Sequence, residues 1–162
     1  MNARDRDSTP GPAGHPEAIR FGALREIVGF HLARAAVTTF DAFDRHLGQP
    51  FQLRKVEFSL LMLLLANEAV PPKRLARALA VTAPNLTLLL DRLQERGLLQ
   101  RVPNPKDGRS QHVVLTAAGL ELAQRAADAS RPMEGELQSR LSTAEHAMLI
   151  ELLGKLAGRP LP

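Results

Sequence analysis

A mainly α-helical fold carrying one two-stranded β-hairpin follows from three features of the sequence. Apolar residues recur at three-four spacing through most of the chain beyond residue 18. Only two short runs, 99–102 and 111–115, read as extended, and they flank the turn-forming stretch Asn104-Pro105-Lys106-Asp107-Gly108-Arg109. The 162 residues are 44% hydrophobic and 23% charged. Those values are ordinary for one globular domain, which at this length buries about two-thirds of its unfolded surface.

Each element has its own signal. Residues 1–17 read as a disordered tail, because Pro10, Gly11, Pro12, Gly14 and Pro16 forbid a regular element. A first helix is predicted from Ile19 to Leu47, with Leu24, Ile27, Val28, His31, Leu32 and Ala35 on one face and Gly48-Gln49-Pro50 as its end. A second, from Arg54 to Asn67, is apolar nearly all round and should be buried. Pro71-Pro72 opens a short third helix reaching Leu79. Thr82 reads as the N-cap of a fourth, with Pro84 in its first turn, Leu86, Leu89, Leu90 and Leu93 inward, and an end at Gly97. After the hairpin, Thr116 caps a fifth helix that Pro132 should end or kink. Ser142-Thr143-Ala144-Glu145 matches a capping box, and a last helix follows with Met148, Leu149, Leu152, Leu153 and Leu156 inward.

Composition removes several classes of function. With no cysteine, the chain has no disulfide framework, zinc-thiolate site, cysteine nucleophile or thiol redox switch. With no Trp or Tyr and only six Phe, an aromatic platform for single-stranded nucleic acid is not expected. The five histidines show no pair at helical spacing, so no metal is expected, nor any other cofactor. There is no phosphate-binding glycine loop and no nucleophile elbow, and the chain reads as a non-enzyme. The longest apolar run, Leu60 to Ala66, is far short of a membrane span. A cytoplasmic protein without membrane partners is expected.

Charge is placed unevenly. Between Pro71 and Gln111 lie eight Lys or Arg and three Asp or Glu, whereas the rest of the chain is close to neutral. Such a local excess suits a polyanion-binding surface, and equally a solvated basic face. The order of elements favours the first. Three helices in about 45 residues, the last with polar outer residues, then a basic hairpin, form a winged helix-turn-helix. A helix about 10–12 Å across fits the major groove of B-DNA. Thr82, Asn85 and Thr87 lie near its N-terminus, where phosphates and base edges are within reach. Lys106 and Arg109 at the hairpin tip suit the backbone or the adjacent minor groove.

Three stretches carry a resemblance to a known family. They are Leu75-Ala76-x-x-Leu79-x-Val81, then Leu86-Thr87-x-x-Leu90-Asp91-Arg92-Leu93-x-x-x-Gly97-Leu98-Leu99, then Asn104-Pro105-Lys106-Asp107-Gly108-Arg109 with Val113-x-Leu115-Thr116-x-x-Gly119. Over about residues 20 to 157 the chain resembles the MarR family of multiple-antibiotic-resistance regulators. The resemblance implies a homodimer built from the first and last helices that binds palindromic double-stranded DNA, represses nearby genes and is often relieved by a ligand. The chain then divides into the tail, an N-terminal dimerisation helix at 18–50, a winged-helix DNA-binding region at 51–116 and C-terminal dimerisation helices at 117–158. Two positions depart from the family pattern. Leu88 stands where a polar residue is common, and Pro132 interrupts a helix that is commonly continuous.

The expected DNA-contacting set is Arg74, Thr82, Asn85, Thr87, Leu88, Arg92, Arg96, Lys106 and Arg109. Leu88 either touches a thymine methyl or packs, and Arg74 either serves DNA or is a solvated charge. Asp107 would repel phosphate and is expected to hold the wing, while Asp91 suits an ion pair. Phe30, Phe58 and Met62 read as core or as the lining of a ligand cavity. Arg34 there would neutralise an amphipathic or anionic aromatic ligand, and His31 is read as a hydrogen-bonded core histidine or as part of the same ligand pocket. The alternative is a winged-helix module that binds protein and not DNA.

Overall fold

The computed structural model describes residues 19–104 and 107–158, without the side chains of Gly108 and Arg109. The segment read as a tail and the whole of Lys106 therefore lie outside the described residues. The described chain is mainly helical with one two-stranded antiparallel sheet. No helix among the described residues is long and apolar enough to cross a membrane. The chain forms two compact units, Met1–Ala35 and Ala36–Pro162.

In the first unit the long helix expected from Ile19 is not continuous. A 3-10 turn at Gly22–Glu26 comes first, and Ile27 is extended before α1 (Val28–Phe43) begins. Gly22 takes a left-handed φ of 51°, which a glycine adopts at no steric cost. The turn is held by side chains. Phe21 meets Phe30 with ring centroids 5.7 Å apart, and His31 Nε2 lies 2.8 Å from the Arg25 carbonyl oxygen. His31 is exposed, so it is hydrogen-bonded as expected but is not a core residue.

In the second unit the path does not stop at Gly48-Gln49-Pro50. A wider π turn, Asp44–Gly48, leads into the single turn α2 (Gln49–Phe51), and left-handed Gln52 ends it. The backbone stays right-handed helical through Gly48 and Gln49, so Pro50 lies inside the last helical turn, and the path ends within two residues of the expected stop. Then come α3 (Lys55–Leu65), α4 (Pro72–Ala78) and α5 (Ala83–Glu95).

Helix α3 is apolar on two sides because it separates two cores. Leu60 and Leu64 join Leu75, Leu86, Leu89, Leu90, Leu93, Leu98, Leu99 and Val113. Leu61 joins Ala42, Phe43, Leu47, Leu53, Ala123, Ala126 and Met133. The last three belong to α6 (Ala117–Gln138), which runs unbroken through Pro132. Of the two expected outcomes, an end or a kink, the helix does not end there. Pro132 is exposed, so the carbonyl it leaves unbonded faces water, while Met133 beside it is buried. Glu136 near the end of α6 binds back to the π turn. Arg45 Nη2 donates to it at 2.6 Å and His46 Nε2 lies 3.2 Å away, and these contacts, Arg45 foremost, hold its carboxyl below the usual value.

The hairpin strands are longer than expected, β1 at Leu99–Asn104 and β2 at Asp107–Leu115. Leu99 pairs with Leu115 and Pro103 with Gln111, and the register shifts at Asn104. Val70 adds a bridge that the sequence pattern does not reveal, exchanging backbone bonds of 3.1 and 2.9 Å with Val113.

The corner between α5, β1 and α6 is tight. Gly97 has a φ of 70° and Thr116 Oγ1 donates to its carbonyl at 2.6 Å. The same hydroxyl accepts from Gly119 N at 3.0 Å, as the expected cap of α6 requires.

Helix α7 (Thr143–Leu156) opens with the expected capping box, in which Ser142 N donates to Glu145 Oε2 at 2.8 Å and depresses that carboxyl. Its apolar residues are not inward among the described residues. Met148, Leu149, Leu152, Leu153 and Leu156 are all exposed, and α7 buries no residue. Periodicity shows that a helix has an apolar stripe, not which surface covers it.

A β-carbon built at Gly119 would lie 1.7 Å from the Leu98 carbonyl oxygen, a backbone atom that cannot step aside. Gly119→Ala is therefore expected to destabilise the fold by at least about 2 kcal/mol, measured as a lowered urea midpoint. An unchanged midpoint would show that the α5–β1 corner can open.

Candidate nucleic-acid interface

The turn between α4 and α5 is fixed by backbone bonds. Val81 N donates to Ala76 O at 3.0 Å, and Ala80 sits at a left-handed φ of 53° although it is not a glycine. Such a conformation is uncommon and is held here by the packing of Leu75, Ala76, Leu79 and Val81 around it. Thr82 occupies the N-cap position with an extended backbone, but its side chain makes no capping bond. Its hydroxyl is left to the surface at the positive end of the α5 dipole.

On α5, Leu86, Leu89, Leu90 and Leu93 are buried as expected, and this alone orients the helix. Asn85, Thr87 and Leu88 are exposed on the other side. Leu88 is 65% exposed, so it does not pack on its own chain. Thr87 Oγ1 donates to its own helix at Ala83 O, 3.1 Å away. Arg74 is exposed on α4.

Arg92 and Arg96 have a second occupation that sequence reasoning missed. Glu57 of α3 is 1% exposed, and both guanidinium groups turn to it. Arg92 Nη1 donates to Glu57 Oε1 at 3.2 Å, and Arg96 Nη1 lies 3.6 Å from Oε2. Arg96 also donates to the carbonyls of Gln52 and Phe51, and Arg54 N donates to Glu57 Oε2 at 2.8 Å. A buried carboxylate needs this many partners because an unpaired charge is very unfavourable away from water. The available signal was a lone acidic residue inside an otherwise apolar helical stretch.

The hairpin is tied to α5 in the same manner. Arg101 donates to Asp91 Oδ1 at 2.6 Å and to Gln94 Oε1 at 2.9 Å, so Asp91 has the ion pair expected of it. Asn104 Nδ2 donates to Ser110 Oγ, and Ser110 Oγ to the Asp107 carbonyl, across the base of the tip. The Arg109 backbone belongs to β2, while its side chain and Lys106 fall outside the described residues.

The residues expected to line a ligand cavity are divided between the two units. In the first unit, the Arg34 guanidinium carbon lies 5.6 Å from the centroid of Phe21 and 5.7 Å from that of Phe30, a cation stacked against two rings. In the second unit, Phe58 packs edge-on against Phe43, and Phe58 and Met62 line a shallow groove with Ala78 and Leu79. A larger groove of about 1150 Å³ runs between the α4–α5 turn and α7, lined by Arg77, Val81, Thr82, Ile150, Leu153 and Lys155.

A helix-turn-helix followed by a paired hairpin, with the outer side of its second helix left open, defines a winged-helix DNA-binding protein. Residues 53–111 match the model of the MarR family. The chain is 31% identical to the HTH-type transcriptional regulator PecS of Dickeya dadantii over 128 residues, covering 77% of this chain and 76% of that one. It is similar to a solved structure of the transcriptional repressor CouR bound to a 23-mer DNA duplex, with a TM-score of 0.80 and 32% identity over 87% of this chain and 99% of that one. CouR bound to p-coumaroyl-CoA matches with a TM-score of 0.76 and 30% identity over 86% and 98% of the two chains. The chain belongs to the MarR family. It is a transcriptional regulator of that type and not an enzyme.

Removing both arginines leaves Glu57 buried without a charged partner. Arg92→Ala with Arg96→Ala is expected to destabilise the fold by about 3–5 kcal/mol. Glu57→Gln, which keeps hydrogen bonds and removes the charge, is expected to cost less than half as much. Equal losses in the two variants by urea unfolding would contradict the burial argument.

Proposed function

We propose that the protein is a homodimeric, ligand-responsive repressor of a pseudo-palindromic operator, with α5 in the major groove and the hairpin tip at the adjacent minor groove. The observation that carries the proposal is the presentation of α5. Its leucines are buried against α3 and α4 while Asn85, Thr87 and Leu88 stand open to solvent. The CouR structure, similar over most of the chain, is bound to a DNA duplex, which supports duplex DNA as the partner. In this reading Arg74, Thr82 and Asn85 contact the phosphates or base edges, and Arg92 is held by Glu57. Lys106 and Arg109 contact the backbone at the tip, Asp107 shapes the wing, and Arg96 holds α5 at its docking angle.

Dimerisation is proposed on the exposed apolar side chains of α7, with Leu152 at 53% and Leu156 at 58%, and on those of α1. A lone chain gains nothing by exposing such stripes, whereas a two-fold mate covers both. The two recognition helices would then lie about 34–36 Å apart, on half-sites about 10 bp centre to centre. The ligand is proposed as an anionic aromatic compound recognised by Arg34 with Phe30 and His31. The p-coumaroyl-CoA complex of CouR supports that ligand class. By linkage, such a ligand weakens DNA binding by the factor by which DNA weakens its own binding.

Two experiments test this reading. With about four phosphate contacts per protomer, the logarithm of the duplex-DNA association constant should fall with log salt at a slope near −7. A slope near zero would leave a protein-binding module as the better account. Leu149→Asp with Leu153→Asp should give monomers in light scattering and lose more operator affinity than any single wing substitution. Monomeric wild-type protein binding one asymmetric site would contradict the dimer.

A further inference from the structure

We infer that Leu88 reads the 5-methyl group of a thymine in the major groove, making it a specificity-determining residue of α5. The inference rests on the DNA-binding reading above and extends it to a particular chemical contact. At 100° per residue, Leu88 lies about 150° from the centre of the stripe formed by Leu86, Leu89, Leu90 and Leu93. It is 65% exposed, so internal packing does not account for it. A single exposed leucine is ordinary on a protein surface, but the neighbours of this one make it informative. Pro84, one turn before it on the same side, is exposed and carries no hydrogen-bonding side chain. The Thr87 hydroxyl donates to Ala83 O, and the Arg92 guanidinium is turned to Glu57 at 3.2 Å. Asp91 is engaged by Arg101. Over its first two turns, the outer side of α5 therefore presents mainly carbon beside the Asn85 amide.

The major groove offers one apolar group at base-pair level, the methyl of thymine. Phosphates and the edges of guanine, cytosine and adenine offer a leucine nothing. Asn85 suits adenine through a bidentate pair, and three residues of helix rise about 4.5 Å, close to one base-pair step. Leu88 thus falls on the base pair read by Asn85 or on the next one, which makes the half-site centre rich in A·T.

The test begins with a duplex selected from a random-sequence pool by the purified full-length protein. Each thymine of the selected half-site is then replaced by deoxyuridine, which removes the methyl and keeps every hydrogen-bonding atom. At one thymine per half-site the loss of the methyl should weaken wild-type binding about fourfold. Leu88→Ala should bind the thymine duplex about as weakly as the wild type binds the uracil duplex, and should not distinguish the two. Its circular dichroism and urea midpoint should match the wild type, because the side chain is exposed. Wild-type binding indifferent to every uracil, or a Leu88→Ala variant with undiminished thymine sensitivity, would overturn the inference while leaving DNA binding intact. Failure to select any duplex would overturn the DNA-binding reading and the inference together.

Discussion

A carboxylate placed inside an apolar helix has to be answered by charge, and in this protein the answer sets the position of the recognition helix. Glu57 is buried on α3 and meets Arg92 and Arg96, one turn apart on α5. The leucines of α5 define which side faces inward, yet apolar packing is non-directional and tolerates sliding. Two guanidinium groups directed at one carboxylate fix both the rotation and the height of α5 against α3. Arg96 extends the tie to the carbonyls of Phe51 and Gln52, at the left-handed end of the path leading out of α1. Any shift of that turn is therefore felt at the C-terminal end of α5 through hydrogen bonds and not only through packing.

The same economy appears in the wing. A two-stranded hairpin alone is marginal in water. Here it is anchored at its base by the Val70–Val113 bridge, by buried Leu99 and Val113, and by Arg101 reaching Asp91 and Gln94. These contacts hold the base of the hairpin to the helix beside it. At the same end, next to the Leu99–Leu115 pair, Thr116 and Gly119 close the chain onto Leu98, so that α6 departs at a fixed angle and carries Ala123, Ala126 and Met133 into the second core. Helix α3 lies between the two cores, which explains why its sequence looks apolar on nearly every side.

Much of this was legible in the sequence. The alternation of turn formers and helical periodicity located α3, α4 and α5, the hairpin and α7 close to where they lie, and the capping residues Thr116 and Ser142 bind as their positions implied. Local rules misjudged two prolines. Pro50 lies inside the last turn of its helical path and Pro132 sits within a continuous helix, because one missing hydrogen bond on a solvated face is a small term beside the burial of Met133 and its neighbours. They also missed the break at Ile27, where the contact of Phe21 with Phe30 competes successfully with continued helix.

The candidate interface divides along the same line. The sequence by itself determined that α5 buries four leucines and turns Asn85, Thr87 and Leu88 outward, since a 3.6-residue period fixes both sides of a helix at once. It could not assign partners to charges distant in the chain. That Arg92 and Arg96 serve Glu57, 35 and 39 positions earlier, that Thr82 makes no side-chain bond at the N-cap, and that the apolar stripe of α7 stays exposed among the described residues were decided by the tertiary structure. The reason is physical. Periodicity is a property of one element, whereas the burial of a charge or of a stripe depends on what folds against it.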